Sequence, residues 1–405
     1  MSYRKYKADQ LFDGYKLHGP GTVLVMDETG KVLDLINASE AGDDVETFSG
    51  ILSPGLINCH CHLELSHLKN VIPPHTGLIE FLCSVVTNRE APTKPPPKGE
   101  AFEDPAIKKM KAIIEAEKEM YDNGIVAVGD IGNTADTAEV KSKSKIRWQN
   151  FVEVLSFTDE KAEENFANYK QVAKVLEAKL QTSNIQHRTS LVPHAPYSIS
   201  PKTFKLINEA TKNQIISIHN QEHPAEDELY KTGGGDYLKL FKIFGLNESP
   251  FPVTGKSSIR SVLPFFNNGQ TIFLIHNTYM PEEDIIWANE YAAASSIKLV
   301  YCFCVNANLY IENKLPPIEI FIKHNCQVAL GTDSYSSNWQ LSIAKEMEVI
   351  QNNFPSLSVE TILQWGTLSG AKALQWDDEL GSFEKGKRPG VVLLNNNLSY
   401  SKNLA

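Results

Sequence analysis

Cysteine is scarce in this chain of 405 residues: six in all, too few for a disulfide framework. Four of them fall in Cys59-His60-Cys61 and Cys302-Phe303-Cys304, alternating along apparent strands, and read as buried free thiols in a reducing cytoplasm. No Cys-x-x-Cys pair occurs, which removes thiolate zinc sites and the deaminases built on His-x-Glu with Pro-Cys-x-x-Cys. Basic excess is absent too. Lys and Arg number 39 against 49 Asp and Glu, a formal charge of −10 that argues against nucleic acid or anionic membrane as a partner. No run approaches the roughly 20 apolar residues of a membrane-spanning helix. Met1–Phe12 is basic but has no apolar stretch behind it, so no signal peptide is expected. Gly-x-Gly-x-x-Gly follows none of the apparent strands, which disfavours an open dinucleotide-binding sheet.

What remains is an ordinary soluble composition, 42% hydrophobic and 22% charged, long enough for one large domain or two. Short strands fill the first 55 residues, such as Thr22–Met26 and Lys31–Ile36, punctuated by Gly19, Gly21, Gly30 and Gly50. The tail has the same style, with Leu380–Gly390 leading into Val391–Leu394. Residues 1–55 and 378–405 are therefore expected to form one small β-sandwich domain. The catalytic domain is expected to be inserted between them, at 56–377.

Within that insert, apolar strand-like runs alternate with helical patterns. The runs are Ile57–His62, Gly124–Ile131, Trp148–Phe157, Thr189–Ala195, Ile215–Glu222, Thr271–Thr278, Ile297–Cys304 and Gln327–Ser334. Near-continuous Val, Ile and Leu suits parallel strands buried on both faces. Eight such units predict an α/β fold, a (β/α)₈ TIM-type barrel with its site at the C-terminal strand ends. A long connection, 63–101, follows the first run and holds a helix near Leu78–Thr87. Its segment Ala91–Lys98 reads as a stiff exposed loop at the barrel mouth.

Chemistry-bearing residues recur at the same end of successive runs. His60 and His62 lie on one face of the first by strand alternation. His194 ends the fourth, His219 and Glu222 the fifth, His276 the sixth and Asp333 the eighth. Three imidazoles and a carboxylate, from His60, His62, His219 and Asp333, suit a divalent ion with one position open for water. Glu222, three residues after a ligand, is placed to move protons. His276 and His194 remain to orient water and polarise a substrate.

The ordered motifs Pro54-Gly55-x₄-His60-x-His62, Pro193-His194-Ala-Pro-Tyr197-Ser198, His219-x-x-Glu222, His276 and Gly331-Thr-Asp333 resemble the amidohydrolase superfamily over nearly the whole chain. In that family these positions serve as metal ligands (His60, His62, His219, Asp333), proton shuttle (Glu222) and substrate or water contacts (His194, His276). No lysine lies in 187–197 to bridge two metals, so the resemblance implies one divalent ion: zinc, with iron as the alternative. The pattern is most similar to the deaminase and chlorohydrolase branch, and within it to aminodeoxyfutalosine and S-adenosylhomocysteine/adenosine deaminases. The chain departs from it at Cys304-Val305, where relatives have Cys-Pro.

The implied activity is hydrolytic deamination of an amino-substituted aromatic N-heterocycle of purine-nucleoside type. Hydroxide on the metal adds to the amine-bearing carbon, and Glu222 passes the proton to the ring nitrogen and the departing ammonia. Another leaving group, a guanine-, pterin- or cytosine-type substrate, and an inactive interaction scaffold are the alternatives. Glu222 favours deamination, because ammonia needs an acid to leave and chloride does not. The complete ligand set speaks against the scaffold. Glu64, Tyr197, Asn308 and Trp339 join His194 as candidate contacts to the small-molecule substrate, with Tyr335 a further pocket candidate. The expected location is cytoplasmic, and a homo-oligomer is compatible with the sequence.

Overall fold

The computed structural model describes residues 3–89 and 104–404. Eight strands run parallel in two four-stranded sheets, in sequence order. Leu56–Cys61, Ile125–Gly132, Arg147–Val154 and His187–Pro193 make one sheet. Ile215–Asn220, Thr271–His276, Lys298–Phe303 and Val328–Leu330 make the other. The sheets touch at both edges. At one, the His219 amide donates to His194 O at 2.9 Å; at the other, the Thr332 and Asp333 amides both donate to His60 O at 3.0 Å.

Every residue of Leu56–Cys61, Ile215–Asn220 and Thr271–His276 is buried, as strands covered on both faces must be. Helices lie between the strands where the 3.6-residue pattern predicts them. Pro105–Asp122 starts with proline in its first turn and with Asp104 accepting the Ala106 amide. Pro201–Ala210 is capped in the same way by Ser200, which accepts the Thr203 amide. The last parallel strand stops at Leu330, earlier than its apolar run suggests. Beyond it the backbone turns, and Asp333 adopts a left-handed φ of 57°.

The two chain ends share a sheet. Gln10–Phe12, Leu17–His18 and Ile51–Pro54 join Val391–Leu394 and Ser401–Asn403, with Val391 opposite Pro54 and Leu394 opposite Ile51. A second, four-stranded sheet contains Tyr3–Lys7, Thr22–Asp27, Val32–Asn37 and Glu46–Thr47. Gly55 leads from the shared sheet into the His60 strand through a very narrow gap. A Cβ there would lie 2.4 Å from Val126 Cγ1 and 2.5 Å from Pro389 O.

The helix Leu78–Asn88 crosses above the strand ends and packs on Tyr197, Tyr237, Phe241 and Tyr310. Its entry is fixed by three bonds to residues 310–312. The His75 amide donates to Tyr310 O at 2.6 Å, the Gly77 amide to Ile311 O at 3.1 Å, and the Leu78 amide to Glu312 Oε1 at 2.5 Å. The Ala91–Lys98 segment lies outside the described residues. Among the described residues no helix is long and apolar enough to cross a membrane.

Candidate active site

His60 and His62 leave their strand with rings edge to face, centroids 4.9 Å apart. His219 arrives from across the seam, 5.0 Å from His60 and 5.4 Å from His62. One nitrogen from each of these three lies within 4.8 Å of the others, all buried. Asp333 Oδ1 stands 3.5 Å from both His60 Nε2 and His62 Nε2, while Ser337 Oγ donates to Oδ2 at 2.5 Å. One carboxylate oxygen is thereby tied back and the other turned to the imidazoles.

This set fits a divalent ion on its own chemistry. His60 is wholly buried, yet neither ring nitrogen has a hydrogen-bond partner. An orphaned buried polar atom costs about 1–3 kcal/mol, and a cation is a partner for Nε2, the His60 nitrogen that stands toward Asp333 Oδ1. The His219 Nδ1 contact to His194 O, 2.8 Å, must be N–H to carbonyl, so Nε2 carries the lone pair a ligand needs. Burial, reinforced by neighbouring imidazoles, pushes His60, His62 and His219 below their ordinary values and keeps them in the neutral, ligating form. Burial raises Asp333, but His62, His276, Ser337 and His219 together pull it lower still.

Space behind His60 is minimal. A Cβ on Gly331 would sit 2.7 Å from His60 Cβ and 3.0 Å from Cys304 Sγ. Gly331→Ala is therefore expected to push His60 out of line, at about 1–3 kcal/mol of overpacking, and to lower metal occupancy with activity. Elemental analysis and thermal melting check this; an alanine variant with parental metal content would show that the wall yields.

Across from the imidazole group, Glu222 Oε1 stands 3.6 Å from His276 Nε2. Burial first, then the charges of Asp333, Glu226 and Glu312, hold the Glu222 carboxyl well above the ordinary range. Asn308 Nδ2 donates to His276 Nδ1 at 3.2 Å and to Thr278 Oγ1 at 2.7 Å, which leaves His276 Nε2–H directed at the Glu222 side. Gln221, His276, Asn277 and Asp333 all have left-handed φ values, from 41° to 72°. Such backbone costs about 1–3 kcal/mol each and persists where surrounding structure imposes it. Here the Gln221 turn is held by Glu226 Oε1, which accepts the Gln221 amide at 3.0 Å and Ser258 Oγ at 2.5 Å.

These groups open onto a cleft whose empty space, open mouth included, is about 570 Å³. His62, His219, Asp333, Glu222, His276, His194, Tyr197 and Glu64 all line it. Leu78, Phe81, Leu82 and Val85 of the overlying helix form an apolar wall. His194 is held by Ser198 Oγ at 2.8 Å on Nδ1, and burial, with Arg89 nearby, lowers it to about 3.

Two of the substrate contacts expected from the sequence, Asn308 and Trp339, fall outside the lining of the cleft, and Glu64 falls within it. Glu64 lines the cleft, but Oε1 is engaged by Arg89 and Oε2 accepts from the Asn133 and Thr134 amides and Thr134 Oγ1. Asn308 lies behind His276, outside the lining. Trp339 is 44% exposed with its ring against Tyr310, also outside it. Tyr335 is likewise absent from the lining, its hydroxyl bonded to Glu119. Two residues that sequence reasoning passed over do face the cleft, Arg89 and Glu153. Glu153 had a signal: an acid inside the otherwise apolar Phe151-Val152-Glu153-Val154.

Directly after His62, the Leu63 amide donates to Asp130 Oδ1 at 2.8 Å. The other Asp130 oxygen pairs with Lys141 Nζ at 2.5 Å, both side chains 2% exposed. Lys141 also donates to Asn150 Oδ1 at 2.7 Å.

The parallel strands, the imidazole–carboxylate cluster and the adjoining acid define a hydrolase site of the amidohydrolase kind. The family model described as "Amidohydrolase family" matches residues 51–404, and the chain belongs to that family. It is a hydrolase acting on carbon–nitrogen bonds. Among its relatives is the 5-methylthioadenosine/S-adenosylhomocysteine deaminase of Thermoanaerobacter pseudethanolicus, 26% identical over 85% of this chain and 73% of that one. The aminofutalosine deaminase of Helicobacter pylori, solved with methylthio-coformycin, superposes with TM-score 0.73 at 21% identity, covering 97% of this chain and 92% of the other. An adenosine deaminase from Xanthomonas campestris with bound zinc gives 0.70 at 19% identity, covering 96% and 84%.

Proposed function

We propose that this chain is a metal-dependent deaminase of an amino-substituted aromatic N-heterocycle of purine-nucleoside type. The observation that carries the reading is one cleft lined by three of the four candidate ligands, His62, His219 and Asp333, and by the Glu222–His276 pair. In this reading the two parallel sheets close into a (β/α)₈ barrel over 56–377, and residues 1–55 with 378–405 form the composite β domain. His60, His62, His219 and Asp333 hold one divalent ion, zinc in preference to iron. When bound, the ion acts as a Lewis acid that makes water a nucleophile at neutral pH.

Glu222 accepts a proton from the attacking water and delivers it to the ring nitrogen next to the attacked carbon; it then takes the proton of the newly added hydroxyl and passes it to the amine, which departs as ammonia. His276, fixed by Asn308, donates from Nε2 toward the oxygen being added. His194 and Tyr197 border the ring, and the Leu78–Val85 wall keeps bulk water from it. Deaminase names among the relatives support the leaving group, and buried free thiols suit a cytoplasmic setting.

The test is ammonia release from adenine-, guanine-, cytosine- and pterin-type compounds, with elemental analysis of the same preparation. Ammonia from a purine nucleoside and one equivalent of metal per chain are expected. Two equivalents, or no metal after reconstitution, would refute the single-ion site; no ammonia from any compound by metal-loaded protein would refute the deaminase.

A further inference from the structure

Glu153 sits near the C-terminal end of the strand Arg147–Val154 and is 5% exposed. Its two carboxylate oxygens have different surroundings. Oε2 accepts Asn133 Nδ2 at 3.0 Å. Asn133 is itself held twice, its Oδ1 by Arg89 and its amide N–H by Glu64 Oε2 at 3.2 Å. Oε1 is buried without a hydrogen-bond partner on the wall of the cleft, and His194 Nε2 stands 3.7 Å from it, beyond bonding reach. The chain of contacts from Glu64 through Arg89 and Asn133 thus fixes the carboxylate with one oxygen committed and the other presented to a ligand.

A buried acceptor of this kind discriminates. A ligand that fills the cleft without offering a donor leaves Oε1 unpartnered, and sites built around a hydrogen bond reject analogues lacking it far more strongly than apolar pockets do.

Resting on the deaminase reading above, we propose that Glu153 determines specificity: its Oε1 accepts an N–H or O–H of the heterocyclic substrate. It selects bases or nucleosides that bring such a donor over analogues that lack it. Glu153→Gln is the informative change. Asn133 Nδ2 donates to Oε2, so the amide oxygen takes that place and the NH₂ group turns to the cleft, replacing an acceptor with a donor.

The experiment compares parent and Glu153→Gln holoenzymes on adenosine, 2′,3′-dideoxyadenosine, guanosine and adenosine 5′-monophosphate. Ammonia release gives kcat and KM; calorimetry gives Kd without need of turnover. The variant should raise KM and Kd of the preferred ligand about 10–100-fold, with a smaller fall in kcat. Metal content and melting temperature near the parent's separate this from misfolding. Asn133→Ala, which frees Oε2, should move the same quantities less far.

If removing the sugar hydroxyls costs the parent affinity but costs the variant nothing further, the donor is a ribose hydroxyl. If the dideoxy compound binds the parent like adenosine, the donor is a ring or exocyclic N–H. Either result supports the assignment. Equal losses for all four ligands, or a fall in kcat with KM unmoved, overturns it. Turnover by a parent whose ligand preferences survive in the variant sinks the Glu153 proposal and leaves the deaminase standing. A metal-loaded parent that neither binds nor deaminates any of the four sinks both.

Discussion

Glu222→Gln is expected to lower turnover by about 10²–10⁴-fold, toward the upper end because one group serves both as base and as acid. Glutamine keeps the size of the side chain and part of its hydrogen bonding, so the 3.6 Å approach to His276 need not change. What it removes is the site that takes and returns a proton. None of the four proposed ligands is altered, so metal content should stay at the parent level. His219→Ala makes the contrasting case. It deletes the ring whose Nδ1 is anchored to His194 O, and it should lower metal occupancy together with activity. Both variants are measured on a substrate identified by ammonia release, with metal assayed in parallel. A glutamine variant that deaminates at close to the parent rate with its metal retained rules out the proton role. Loss of metal from that variant would instead make Glu222 a ligand.

Lys141→Met should destabilise the fold by about 3–5 kcal/mol, because it strands a buried carboxylate. Asp130 and Lys141 are each 2% exposed, and burial already raises the Asp130 carboxyl despite Lys141 beside it. Removing the ammonium leaves a buried charge whose nearest compensation is the Leu63 amide. The effect should reach the site, since that amide follows His62 directly: metal affinity should fall along with melting temperature. Adding Asp130→Asn to the methionine variant removes the charge and keeps an oxygen for the Leu63 amide. The double variant should recover more than half of the lost stability in denaturant unfolding. A double variant no more stable than Lys141→Met would mean that the lysine matters through packing over Trp148, 5.0 Å from its ring centre, and not through charge.

Several features were legible because they are local in the chain. Continuous runs such as Ile215-Ile216-Ser217-Ile218 form only strands that can be buried on both faces, and they became the parallel strands. Strand alternation places His60 and His62 on one side, and ligand-type residues at the ends of successive runs must converge if those runs lie parallel and in order. The Gly-punctuated ends showed a shared style, and Val391–Leu394 pairs with Ile51–Pro54.

What the tertiary structure alone decided concerns partners far apart in sequence. Periodicity assigns a residue to a face but not to a neighbour. Nothing near Glu64 announces that Arg89, Asn133 and Thr134 will engage its carboxylate, and nothing near Asn308 places it behind His276. Trp339 resembles a pocket residue until the turn after Asp333 carries it out against Tyr310. Glu153 is the sharpest case. An acid in a buried strand carries a large desolvation cost unless something answers it. Only the packing of four separate segments shows that one oxygen is answered by Asn133 and the other is left for whatever enters the cleft.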